Sequence, residues 1–142
     1  MEVKKIVQDI IKKCNSNDPF KIARHLGIKV IFESLGDIFG YFTNVHRIPI
    51  IHINQSCSCH KQKFICCHEL GHAVSHPKHN ASYVKKFTYY PNDKFESEAN
   101  DFAIELLFFN SNNPITLHEM VHDYGVPEQF LLSKMKTHNK EF

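Results

Sequence analysis

The pentapeptide His68-Glu69-Leu70-Gly71-His72 constrains this chain more than any other feature, because its chemistry works only on a helix. At ~100° per residue, His68 and His72 fall ~40° apart and one turn along, so both imidazoles reach one cation while Glu69 stands beside it as base for its water. The chain must therefore supply a helix here, over Lys61–Ser75, and Pro77 stops it from running far. Given the His and Glu content of this chain, chance yields roughly 0.05 such pentapeptides, so the pattern reads as the H-E-x-x-H of zinc-dependent hydrolases. Gly71 sits where close backbone approach to that helix would be useful.

The flanking sequence predicts an α+β domain around this helix. Val3, Ile6, Val7, Ile10 and Ile11 recur with helical period over Val3–Cys14. Asp18 can cap a short helix from Pro19 to Leu26, stopped by Gly27. Three β-rich runs, Ile28–Glu33, Phe39–Thr43 and Ile48–Ile53, predict a small, mostly antiparallel sheet packed on the motif helix. Gln55 to Ser58 makes a turn, and further helices are expected over Lys94–Phe109, Thr116–Tyr124 and from Pro127 to about Lys136. Residues 76–93 carry Pro77, Pro91 and several aromatics and read as a loop beside the site. At 142 residues, with 42% hydrophobic and 23% charged, the chain is expected to be one domain over residues 1–142. Residues 1–110 would form its core and 111–142 a C-terminal helical segment.

Hydrolytic zinc sites usually have three protein ligands, so a third must come from elsewhere. In Lys94–Phe109 the residues Phe95, Ala99, Phe102, Leu106 and Phe109 form one apolar stripe. Glu98 lies at its edge and is the expected donor; Glu96, on the opposite edge, and Glu105 are alternatives. His76, Tyr83, Tyr89 and Tyr90 are candidate oxyanion donors. The longer metzincin signature is not met, since Lys78 stands where its third His would fall.

The run His68-Glu69-Leu70-Gly71-His72, with His76, then Glu98-Ala99-Asn100-Asp101-Phe102-Ala103 and Glu105-Leu106-Leu107, resembles the ImmA/IrrE family of metallopeptidases. So do Asp18-Pro19-Phe20, Ile22-Ala23, Leu26-Gly27-Ile28, Gly40-Tyr41-Phe42 and Ile51-His52-Ile53-Asn54. The resemblance implies a minimal zincin-like, gluzincin-like fold, with His68, His72 and Glu98 as Zn2+ ligands and Glu69 as catalytic base. It also implies an antirepressor protease of a phage or mobile element, whose partner and substrate is a helix-turn-helix repressor. Phe108-Phe109 replaces a Met-Pro common in the family, and Cys66-Cys67 precedes the motif.

Other features exclude more than they add. A formal charge of +2 is too small a bias to demand nucleic acid or an anionic membrane. No apolar run approaches the ~18 residues of a membrane span, and MEVKKIVQDIIKKC is no signal peptide, so a cytoplasmic location is expected. Five cysteines argue for reduced thiols. Cys66 and Cys67 fall ~160° and ~100° from His68 and read as core thiols, leaving Cys57 and Cys59 as an accessory or oxidation-sensitive pair. The last two helices, joined at Gly125, have a helix-turn-helix layout but few cations, which favours core packing over DNA reading. Two alternatives to a protease stay open: a zinc-stabilised module that sequesters a repressor without cleaving it, and a DNA-binding regulator.

Overall fold

The computed structural model describes residues 2–75, 94–112 and 114–140. Helix α1 (Val3–Cys14) buries Val7 and Ile10 and ends where Asn15 turns left-handed at φ 52°. Helix α2 (Pro19–His25) starts at Asp18, whose carboxylate accepts from the Phe20 N–H at 2.9 Å, with Pro19 in the first turn. Strands β1 (Lys29–Glu33), β2 (Gly40–Val45) and β3 (Ile48–Asn54) follow. Then come α3 (Cys59–Ser75), α4 (Lys94–Leu107), α5 (Leu117–His122) and α6 (Glu128–Lys140).

The sheet has the order β1-β3-β2. It is mixed rather than mostly antiparallel: β2 pairs antiparallel with β3, and β1 pairs parallel with it, Lys29 opposite Ile50 and Glu33 opposite Asn54. β2 runs opposite to β1 and the hairpin into β3 turns the chain back again, so after two reversals β3 lies parallel to its neighbour β1. Ile51, Ile53 and Phe42 are buried on the helix side of the sheet. The opposite side carries a polar cross-strand ladder. There His52 lies 2.7 Å from Glu33 and 3.1 Å from Thr43, and its ring stacks on Tyr41 at 4.2 Å.

Two features seat α3 on this scaffold. The buried Asn54 side chain donates to the Gly36 and Ile38 carbonyls at 3.0 and 2.9 Å and accepts from the Ser56 N–H at 2.9 Å, which fixes the turn into the helix. At Gly40 a Cβ would fall 2.5 Å from Ile65 Cγ2 and 2.6 Å from the His52 carbonyl oxygen, so only glycine lets β2 lie this close to α3. The result is a helix enclosed on all sides, with every residue from Phe64 to His72 buried.

The C-terminal segment joins the same core through Val126, Phe130 and Leu131, as core packing predicts. The Tyr124 ring lies 4.7 Å from His60 of α3 and 5.3 Å from Phe108. Among the described side chains of α6 the cations are Lys134, which pairs with Asp101 on α4, and Lys136. That is a poor complement for phosphate. No described helix is long and apolar enough to cross a membrane.

Candidate metallopeptidase centre

Helix α4 approaches α3 through small residues. A Cβ at Gly71 would meet Ala99 Cα at 3.1 Å, Phe102 Cβ at 3.1 Å and the Ala99 carbonyl oxygen at 3.2 Å. Two of these are backbone atoms that cannot turn aside. Gly71→Ala is therefore expected to push the helices apart and destabilise the fold by about 1–3 kcal/mol, more than the helical preference of alanine returns. A thermal midpoint equal to or above that of wild type would contradict this packing.

Close approach brings two pairs of residues, each spaced i,i+4, face to face: His68 and His72 on α3, Glu96 and Asn100 on α4. His68 Nε2 lies 3.1 Å from Glu96 Oε2, and His72 Nε2 lies 3.0 Å from Glu96 Oε1. On its other edge His68 Nδ1 is 2.8 Å from Asn100 Oδ1. Glu69 is 4% exposed, and one ligand atom from each of His68, Glu69 and His72 falls within 4.8 Å of the others. With the Glu96 carboxylate against both imidazoles, these side chains form a group able to hold a metal ion.

The donors fit a cation. An Asn oxygen accepts, so His68 donates from Nδ1 and presents the lone pair of Nε2 to the Glu96 carboxylate. A lone pair and a carboxylate facing each other in a buried site repel unless positive charge lies between them. Burial raises the Glu96 carboxyl, and positive charge and hydrogen bonding at the two Nε2 positions, the place an ion would take, outweigh it and hold the group well below the usual carboxylate range. A buried His-Glu-His cluster with H-E-x-x-H spacing is the arrangement of a zinc metallopeptidase active site.

The carboxylate that lies against both imidazoles is Glu96, whereas the apolar stripe points to Glu98. The buried positions of α4 are Glu96, Ala99, Asn100, Phe102, Ala103 and Leu106, while Phe95 is 38% exposed. That face is centred about 60° from the stripe of bulky residues. Its contact with α3 is made by Ala99 and the Cβ of Phe102 at Gly71 and by Glu96 and Asn100 at the imidazoles, and the last two carry no hydrophobic signal. Glu98 lies on the far edge, with Oε1 3.9 Å from Lys94 Nζ, and Glu105 is not among the buried residues. The oxyanion candidates His76, Tyr83, Tyr89 and Tyr90 lie outside the described residues.

The cysteines take no part in the centre. Cys66 and Cys67 are fully buried, and desolvation pushes both thiols well above their ordinary values, so they stay protonated. Cys57 is half-buried, its thiol also raised by burial, and Cys59 is exposed.

The family model described as the IrrE N-terminal-like domain, peptidase family M78, matches residues 23–136. The chain belongs to this family. "Uncharacterized immunity region protein 2" of Bacillus phage phi105 is 35% identical over 147 aligned residues, covering 99% of this chain and 93% of that protein. "Metallopeptidase ImmA" of Bacillus subtilis strain 168 is 31% identical over 107 residues, covering 74% of this chain and 62% of that protein. No solved structure gives a significant match.

Two features, one residue and one repeated motif, fall outside the sequence-based expectations. Asn100 orients His68, and the signal available was its position four residues after Glu96. Asn100→Ala is expected to weaken metal binding about 10–100-fold, as loss of a partner behind a ligand does, with Asn100→Asp restoring most of it by keeping an acceptor. Competition against a chelator measures both. The pentapeptide pattern also occurs a second time, at His118-Glu119-Met120-Val121-His122 of α5. All of its residues but Met120 and Val121 are exposed, and Glu119 closes a capping box with Thr116: the Glu119 N–H donates to Thr116 Oγ1 at 3.0 Å, and that hydroxyl donates to Glu119 Oε1 at 3.2 Å. The pattern alone does not make a hydrolytic centre; burial against α4 does.

Proposed function

We propose that this protein is a zinc-dependent endopeptidase that cleaves and inactivates a helix-turn-helix transcriptional repressor, relieving repression in a phage or mobile element. The observation that carries the reading is the convergence of His68 Nε2, His72 Nε2 and the Glu96 carboxylate in a buried site beside Glu69. The names of the phage immunity-region relative and of the ImmA metallopeptidase support the setting.

In this mechanism His68, His72 and Glu96 hold the ion, a two-imidazole, one-carboxylate donor set suited to Zn2+. Bound there, zinc supplies Lewis acidity to the scissile carbonyl and to the attacking water. Glu69 accepts a proton from that water on a carboxylate oxygen and delivers it to the departing amine nitrogen, so one side chain serves as base and then as acid. Asn100 holds the His68 ring in the tautomer that leaves Nε2 available, and the enclosure of α3 keeps the proton-transfer site out of bulk solvent. The protein would act in the cytoplasm as a single domain, with residues 1–110 carrying the chemistry and 111–142 bracing the core.

A reporter silenced by a candidate helix-turn-helix repressor separates cleavage from sequestration. Wild type is expected to restore expression and Glu69→Gln to leave the reporter silent. Equal restoration by both would show that the protein acts by binding alone.

A further inference from the structure

We infer that His118 and His122 on α5 form a second, solvent-exposed site for a borderline transition-metal dication, the class of Cu2+, Ni2+ and Zn2+, separate from the buried centre. The two imidazoles are spaced i,i+4 on one helix, and their ring centroids lie 4.1 Å apart at an interplanar angle of 35°. The buried pair, His68 and His72, has the same spacing with centroids 4.8 Å apart. Two imidazoles binding one ion at about 2.1 Å and near right angles need centroids about 4.5 Å apart, which a small side-chain rotation from the α5 geometry provides.

The surroundings suit a simple chelate rather than a reactive centre. Both rings are exposed, so binding requires no desolvation of a buried group, and the remaining coordination positions stay open to water. Glu119 and Asp123 add negative charge beside the pair. Glu119 is held in its capping box with Thr116, and no third His, Cys, Asp or Glu joins the pair in a ligand group among the described residues. Nothing there positions a base for hydrolysis. The helix itself is six residues long and buries none of them, so a cation bridging adjacent turns would tie together an element with little packing of its own.

The test is calorimetric titration of zinc-loaded protein with Ni2+, with released zinc followed by a colorimetric chelator to show that the buried ion stays in place. Wild type is expected to take up Ni2+ at a site that disappears in His118→Ala/His122→Ala and weakens in each single variant, while the exposed His46→Ala control binds as wild type does. Cu2+ should bind that site more tightly than Ni2+. Hydrogen exchange should show slower α5 amides on adding Ni2+ to wild type and no such change in the double variant. Ni2+ uptake by the double variant equal to wild type in stoichiometry and affinity, or by either single variant, would overturn the site. Far-ultraviolet circular dichroism confirms that the variants compared are folded.

Discussion

Glu96→Ala is expected to lose tight metal binding, and Glu98→Ala to keep it. Both carboxylates lie on α4, two residues apart, but the Glu96 oxygens stand 3.0 and 3.1 Å from the two Nε2 atoms, whereas Glu98 lies 3.9 Å from Lys94 at the helix edge. Removing one member of a buried charged cluster costs about 3–5 kcal/mol, which as affinity is about two to four orders of magnitude. Metal content per chain after gel filtration, measured by plasma mass spectrometry, reads the difference directly. Full metal content in Glu96→Ala, or its loss in Glu98→Ala, would return the third ligand to Glu98.

Glu69→Gln is expected to separate binding from catalysis. The amide keeps the size of the side chain but cannot accept the proton of the attacking water, and general acid–base catalysis of this kind contributes about 10²–10⁴-fold. Zinc should remain bound, because the imidazoles and Glu96 are untouched, while kcat falls by that factor with little change in KM. Zinc content and cleavage rate measured on one preparation check both halves. A variant that loses zinc as it loses activity would make Glu69 a ligand instead of a base.

Much of this was legible because it depends on local chemistry. The motif helix, the Asp18 cap, the helical period of α1 and the placement of Cys66 and Cys67 away from His68 each follow from spacing and residue type within one segment. The sheet was legible as three strands but not as a mixed one, because strand order depends on which edges meet. The carboxylate at the imidazoles was hidden for a related reason. The α4 face that meets α3 joins Ala99 and the Cβ of Phe102, which pack at Gly71, to Glu96 and Asn100, which meet the imidazoles, so it extends past the apolar stripe on its polar side. A hydrophobic pattern finds the core and passes over a polar centre inside it. The second pentapeptide, His118 to His122, shows the converse: the same letters on an exposed six-residue helix have none of the enclosure that hydrolysis needs.

The most direct test is intact-mass analysis of a candidate helix-turn-helix repressor after incubation with zinc-loaded wild type and, separately, with Glu69→Gln. The proposed protease activity predicts one new cut, made by wild type, absent with Glu69→Gln and abolished by a zinc chelator. A repressor left intact by zinc-loaded wild type, yet held in a complex with both forms, would contradict it and make the buried centre a structural one.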